Sequence, residues 1–89
     1  DKNHESARVA AIDIIARVGD KSAEDEIAAL VSSRSGRVKQ AAAKALGVIG
    51  SKETTIKALK KLFSDYSANV RFNAIRALAG LAGESEADV

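Results

Sequence analysis

Apolar positions along the chain fall into a stripe that recurs. Val38, Ala41, Ala42, Ala45, Leu46 and Ile49 follow the spacing i, i+3, i+4, i+7, i+8, i+11, one face of an α-helix. The same template lands on Ala7, Ala10, Ala11, Ile14, Ile15 and Val18 in one direction, and on Val70, Asn73, Ala74, Ala77, Leu78 and Leu81 in the other, with Asn73 alone polar. Arg8, Lys39 and Arg71 keep the same phase beside the first position. Gly19 and Gly50 follow the first two stripes, where a helix end favours a residue free to take positive φ. Between these segments lies a shorter stripe, Ile27, Leu30 and Val31, repeated as Leu59, Leu62 and Phe63. Ser22 with Asp25 resembles a capping box before the first short stripe, and Ser51 is expected to open the second. Ser35 and Ser67 stand where the third and fifth helices need N-caps. No segment alternates as a strand would.

These signals predict an all-α chain of five helices near 5–18, 23–33, 37–49, 53–64 and 68–82. They make two helical hairpins and a leftover helix, about two and a half repeats. Each hairpin alone buries only part of its apolar surface, and stacking completes the core. Ala41, Ala42, Ala43, Ala45 and Gly47 predict close approach of the middle helix to its neighbours, toward the low end of the usual ~8–10 Å. The outer helices are more apolar than the middle one: Val9 and Phe72 align with Gln40, and Ile12 and Ile75 with Ala43.

Composition narrows the functions. Eighty-nine residues make one domain, read here as 1–89 with a flexible acidic tail over 84–89. One His, one Tyr, two Phe and no Cys leave little for catalysis or base stacking, so an enzyme is not expected. His4, near the start and without a clustered partner in sequence, reads as an exposed histidine. No metal-ligand spacing or phosphate-binding loop occurs, so no cofactor or metal is expected. No apolar run approaches the ~20 residues of a membrane helix, and no leader-like segment is visible, so a cytoplasmic location is expected. Charge is uneven: residues 1–30 carry net −3, residues 31–83 net +8, and residues 84–89 net −3. That asymmetry favours an acidic partner or end-to-end attraction between copies.

The run Val38-Lys39-Gln40-Ala41-Ala42-Ala43-Lys44-Ala45-Leu46-Gly47-Val48-Ile49-Gly50 resembles the first-helix signature of short HEAT-like repeats of the phycobilin-lyase type. Leu62-Phe63-Ser64-Asp65-Tyr66-Ser67-Ala68-Asn69-Val70-Arg71 resembles the junction between such repeats. The resemblance covers about residues 5–83 in three in-phase copies. It implies a right-handed α-α superhelix, with Asp65 and Arg71 tying neighbouring repeats together. The positions equivalent to Asp65 hold Ser33 and Lys2, which leaves the pairing of Lys39 and Arg8 open. With repeat material reaching both ends, the chain is expected to be a piece of a longer array, or one whose ends pair with a second copy.

In HEAT-like arrays the second helix of each repeat lines the concave face. By that resemblance Lys57, Lys60 and Lys61 form a basic patch in the groove, while the aligned Asp25, Ala28 and Ala29 are acidic or neutral. An exposed lysine face is also ordinary for a helix in water. Tyr66, at a junction, serves either as an interface anchor or as a lid over the core edge. The function expected is a protein-interaction scaffold for a partner with an acidic segment, with Asp25, Lys57, Lys60, Lys61 and Tyr66 as contacts. Two alternatives remain at this level. One is nucleic-acid binding through the basic middle segment, where Arg37, Lys39, Lys44, Arg71 and Arg76 add charge. The other, carried by the resemblance alone, is an accessory subunit of a phycobilin-lyase-like enzyme.

Overall fold

A computed structural model describes the backbone of residues 2–87 and the side chains of residues 4–82. Five α-helices succeed one another: α1 (Lys2–Val18), α2 (Glu24–Ala29), α3 (Gly36–Ile49), α4 (Glu53–Lys61) and α5 (Ala68–Ala87). Single 3₁₀ turns, Lys21–Ala23, Leu30–Ser32 and Leu62–Ser64, lead into α2 and continue α2 and α4. No strand occurs among the described residues. Helix α5 runs past the expected end near 82, and the side chains of the acidic tail lie outside the described residues.

Helix α3 lies between α1 and α5, and α2 and α4 lie side by side across that layer. Each short helix sits closer to the long helix that follows it than to the one before, so α2 with α3 and α4 with α5 are the tighter pairs. The core centres on α3, where Val38, Ala41, Ala42, Ala43, Ala45, Leu46 and Ile49 are all buried. Ile12, Ile27, Val31, Leu59, Leu62, Val70 and Ala74 close around it. Ile15, Leu46 and Leu78, equivalent in the repeat, all pack on this core. A Cβ at Gly47 would stand 3.1 Å from Cβ of Ala77, so α5 leaves no spare room against α3 at this point.

Several local expectations change. On α1 the repeated template does not mark the buried face: Ile14 and Val18 are 59% and 75% exposed, while Ile12 is buried with Val9, Ile15 and Ala16 beside it. α3 has a long helix on either side, α1 and α5, whereas among the described long helices α1 packs chiefly on α3. Phe63 is a little over one-third exposed rather than core, and Leu62 is buried. The matching 3₁₀ turn after α2 is the reverse, with Val31 buried and Leu30 only partly so. Gly19 takes φ +74°, as a helix-ending glycine should, and its N–H donates to Ile15 O at 2.9 Å. Gly50 keeps a negative φ; it is needed for space, since a Cβ there would lie 2.4 Å from Leu46 O and 2.6 Å from Thr55 Cγ2.

The caps divide the same way. Ser35 accepts from Val38 N at 3.1 Å and Ser67 from Val70 N at 3.3 Å, both as expected. Ser22 is not a cap; Asp20 takes that role, accepting from Ser22 N at 3.0 Å and opening the 3₁₀ turn. Ser51 does not cap α4 either. Glu24, from the preceding short helix, accepts from the backbone N–H of Ser51 and Lys52 at 2.7 and 2.9 Å, and from the hydroxyls of Ser51 and Thr55.

Candidate functional site

The sequence-derived contact residues lie on the second-layer helices and the junction after them. Asp25 and Glu26 are exposed on α2, and Lys57, Lys60 and Lys61 are exposed on α4. Besides Glu24, two contacts at the surface tie the helices side by side. Lys52 Nζ lies 3.1 Å from Asp25 Oδ2 near their N-termini, and Lys61 Nζ donates to Ser32 Oγ at 2.8 Å where α2 ends. Lys57 and Lys60 make no hydrogen bond or ion pair among the described residues. Ile56 and Phe63, each a little over one-third exposed, lie on the same element and its continuation. Tyr66 is fully exposed; only its carbonyl is engaged, accepting from Arg71 Nη1 at 3.2 Å.

Charge on α2 is smaller than its sequence implies. Of Glu24, Asp25 and Glu26, the first is buried. Burial alone would raise the Glu24 pKa, but the Thr55, Ser51 and Lys52 donors outweigh it and hold the carboxyl at about 2. Glu24 therefore remains a carboxylate at neutral pH and fastens α2 to the start of α4. Sequence reasoning missed this role, because the partners lie about one repeat away.

The basic residues of the first-layer helices divide into those used internally and those facing water. Lys39 pairs with the carboxylate of Asp65 across the α3–α5 boundary, both side chains largely buried. Hydrogen bonding from Lys39 and from Ser67 N–H holds Asp65 below the usual carboxylate range. Arg71 donates to the carbonyls of Asp65 and Tyr66 rather than to a carboxylate, so Asp65 ties repeats together through Lys39. Arg37 lies 3.0 Å from Glu5, which also accepts from Ser35 Oγ at 2.5 Å. The Ser35 hydroxyl, with Arg37 beside it, lowers the Glu5 pKa. Three of the five cations available for phosphate contact are thus engaged within the fold; Lys44 and Arg76 remain exposed. Arg76 stacks over the half-exposed Phe72 ring at 5.6 Å.

A cleft of about 440 Å³ opens where α1 meets the turn before α3, lined by His4, Glu5, Arg8, Ser33, Arg34, Ser35 and Val38. Among the described residues no group of His, Cys, Asp or Glu could hold a metal ion, and no helix is long and apolar enough to cross a membrane. Compared with known sequences, the chain matches the sequence model for HEAT repeats over residues 1–79. No curated protein and no solved structure matches it.

Proposed function

The chain belongs to the HEAT-repeat family, and from that premise we propose that it is a non-catalytic scaffold that binds a partner protein across α2 and α4. The surface is acidic at Asp25 and Glu26 and basic at Lys57, Lys60 and Lys61, with Tyr66 as an aromatic anchor at its edge. The observation carrying this reading is the state of α4. Lys57 and Lys60 are exposed and unpaired beside half-exposed Ile56 and Phe63, whereas Arg37, Lys39 and Arg71 are engaged within the fold. Unpaired charge next to apolar area suits an acidic amphipathic segment: the charges steer encounter and the apolar side chains hold the complex. A scaffold already folded loses little entropy on binding, which favours affinity.

The test is a titration with a synthetic acidic amphipathic peptide, mapped by backbone amide shifts. The expected outcome is saturable shifts on α4 and α2, lost in the double variant Lys57→Glu/Lys60→Glu and weakened by salt. Shifts confined to another face, or unchanged binding by the double variant, would refute the surface. Duplex DNA serves as the second titrant. Affinity for any sequence that falls steeply on a log–log salt plot would replace this reading with phosphate recognition.

A further inference from the structure

The two turns that join the repeats are built alike, and one difference between them points to a ligand. In each, a side-chain oxygen accepts from the N–H two residues on: Ser33 Oγ from Ser35 N at 3.0 Å, and Asp65 Oδ2 from Ser67 N at 3.0 Å. In each, the serine that donates this N–H then caps the next helix. At the second turn, Asp65 has another carboxylate oxygen, and it pairs with Lys39 on the first turns of α3. At the first turn Ser33 keeps the local hydrogen bond but brings no carboxylate. The residue in register with Lys39 is Arg8, on α1.

Arg8 and Arg34 are exposed and make no ion pair or hydrogen bond among the described residues. Both line the 440 Å³ cleft together with Ser33. The carboxylate already there, Glu5, is occupied by the Ser35 hydroxyl and Arg37. The cleft therefore offers two guanidinium groups that no acid among the described residues pairs with. Elsewhere in the same molecule the corresponding cation is met by an aspartate. Guanidinium forks suit a planar carboxylate held by two parallel hydrogen bonds.

We propose that this first junction is a carboxylate-binding site, in which Arg8 and Arg34 take an aspartate or glutamate side chain of a bound peptide. The acid supplied from outside stands in for the one the second junction carries in its own chain. The site lies at the turn-bearing edge of the repeats; Lys61 at the end of α4 reaches its neighbour Ser32, but Lys57 and Lys60 do not line it.

The probe is a capped tetrapeptide with one aspartate, followed by amide shifts. Saturable shifts at Arg8 and over residues 33–36 are expected, with none from the asparagine version. Arg8→Gln should weaken binding about tenfold, the worth of one charge-assisted hydrogen bond, and both arginines are exposed enough for the variants to fold. Ser33→Asp places a carboxylate in the turn. It should abolish peptide binding and raise Tm, and adding Arg8→Gln should cancel that rise. Equal binding by the asparagine peptide, undiminished binding by Ser33→Asp, or tighter binding of inorganic phosphate would each overturn the assignment. Lys57→Glu/Lys60→Glu should bind this peptide as the parent does. If binding is lost there instead, the peptide occupies α4, and this site falls while the scaffold surface stands.

Discussion

Helices α1 and α3 carry the same apolar template thirty-one residues apart, yet they live in different surroundings. In α3 the six template residues are all buried, whereas in α1 Ala7, Ala10, Ala11, Ile14 and Val18 are exposed. The difference lies in the neighbours. α3 is packed between α1 and α5 and against α2, whereas α1 has α3 beside it and only an open groove, lined by Ala11 and Ile15 with Ile27 and Leu30, toward α2. The helix that α1 forms is specified by its own periodicity, but which face it buries is specified by what is stacked against it. Ile12, aligned with Ala43, is buried on α1, where it shares a groove with Ile27 and Leu30.

The largest effect expected breaks this comparison directly. Ala42 is 0% exposed, and Ala42→Glu forces an unpaired charge into the core centred on α3. The loss should be on the order of 5 kcal/mol, comparable with the whole stability of a small domain, so the variant should unfold. Ala11→Glu, at the aligned position on α1, should cost within about 0.5 kcal/mol, because that site faces water. Denaturant melts of the pair check both. Similar losses at the two positions would show that α1 is as enclosed as α3.

That pair also marks what is legible in the amino-acid sequence alone. The five helices were legible because the stripe is local and repeats three times. The Ser35 and Ser67 caps were legible because a cap reaches only three residues. Burial on α1 was not, since periodicity fixes a face without saying what lies opposite. Nor was the role of Glu24, which stands in an acidic run like its neighbours and is distinguished only by partners one repeat later. On the candidate surface, exposure of Lys57 and Lys60 could be read from their place opposite Leu59 and Leu62. The internal use of Arg37 and Lys39 could not, because Glu5 and Asp65 lie in other repeats.

Glu24 gives the next effect. It holds α2 against the start of α4, and so helps keep α3 enclosed. Glu24→Ala removes the acceptor for two backbone N–H groups and two hydroxyls, and should cost about 2 to 3 kcal/mol. Amide exchange in α3 should then move toward that of α1. The pH dependence has a fixed sign. The folded pKa of about 2 lies below the ordinary 4.5, so the contribution is full above pH 4.5 and is lost as pH falls toward 2. Asp65 and Glu5, also lowered, act in the same direction. Acid titration of stability should therefore be shallower in Glu24→Ala than in the parent; parallel curves would remove the carboxylate from this account.

A smaller effect is expected at the C-terminal end of α3. Gly50→Ala sets a methyl group 2.4 Å from Leu46 O and 2.6 Å from Thr55, so the turn into α4 must shift. The cost should be about 1 to 2 kcal/mol, measured in the same melts. Gly19→Ala ends the aligned helix α1 and meets no atom within 4 Å; its strain comes from positive φ alone. The two glycines therefore fail for different reasons. A Gly50→Ala structure with Thr55 unmoved would refute the steric account.

The smallest effect concerns the second layer, where the same inequality recurs. Ala28 on α2 is half-buried against the core, while the aligned Lys60 on α4 is exposed. Lys60→Glu should therefore change stability by no more than about 0.5 kcal/mol. Relief of repulsion with Lys57 and Lys61 would push that small change toward stabilisation, and added salt should reduce it further. A loss well above 1 kcal/mol would mean that the outer face of α4 is packed as α3 is, leaving no free basic surface there for a partner.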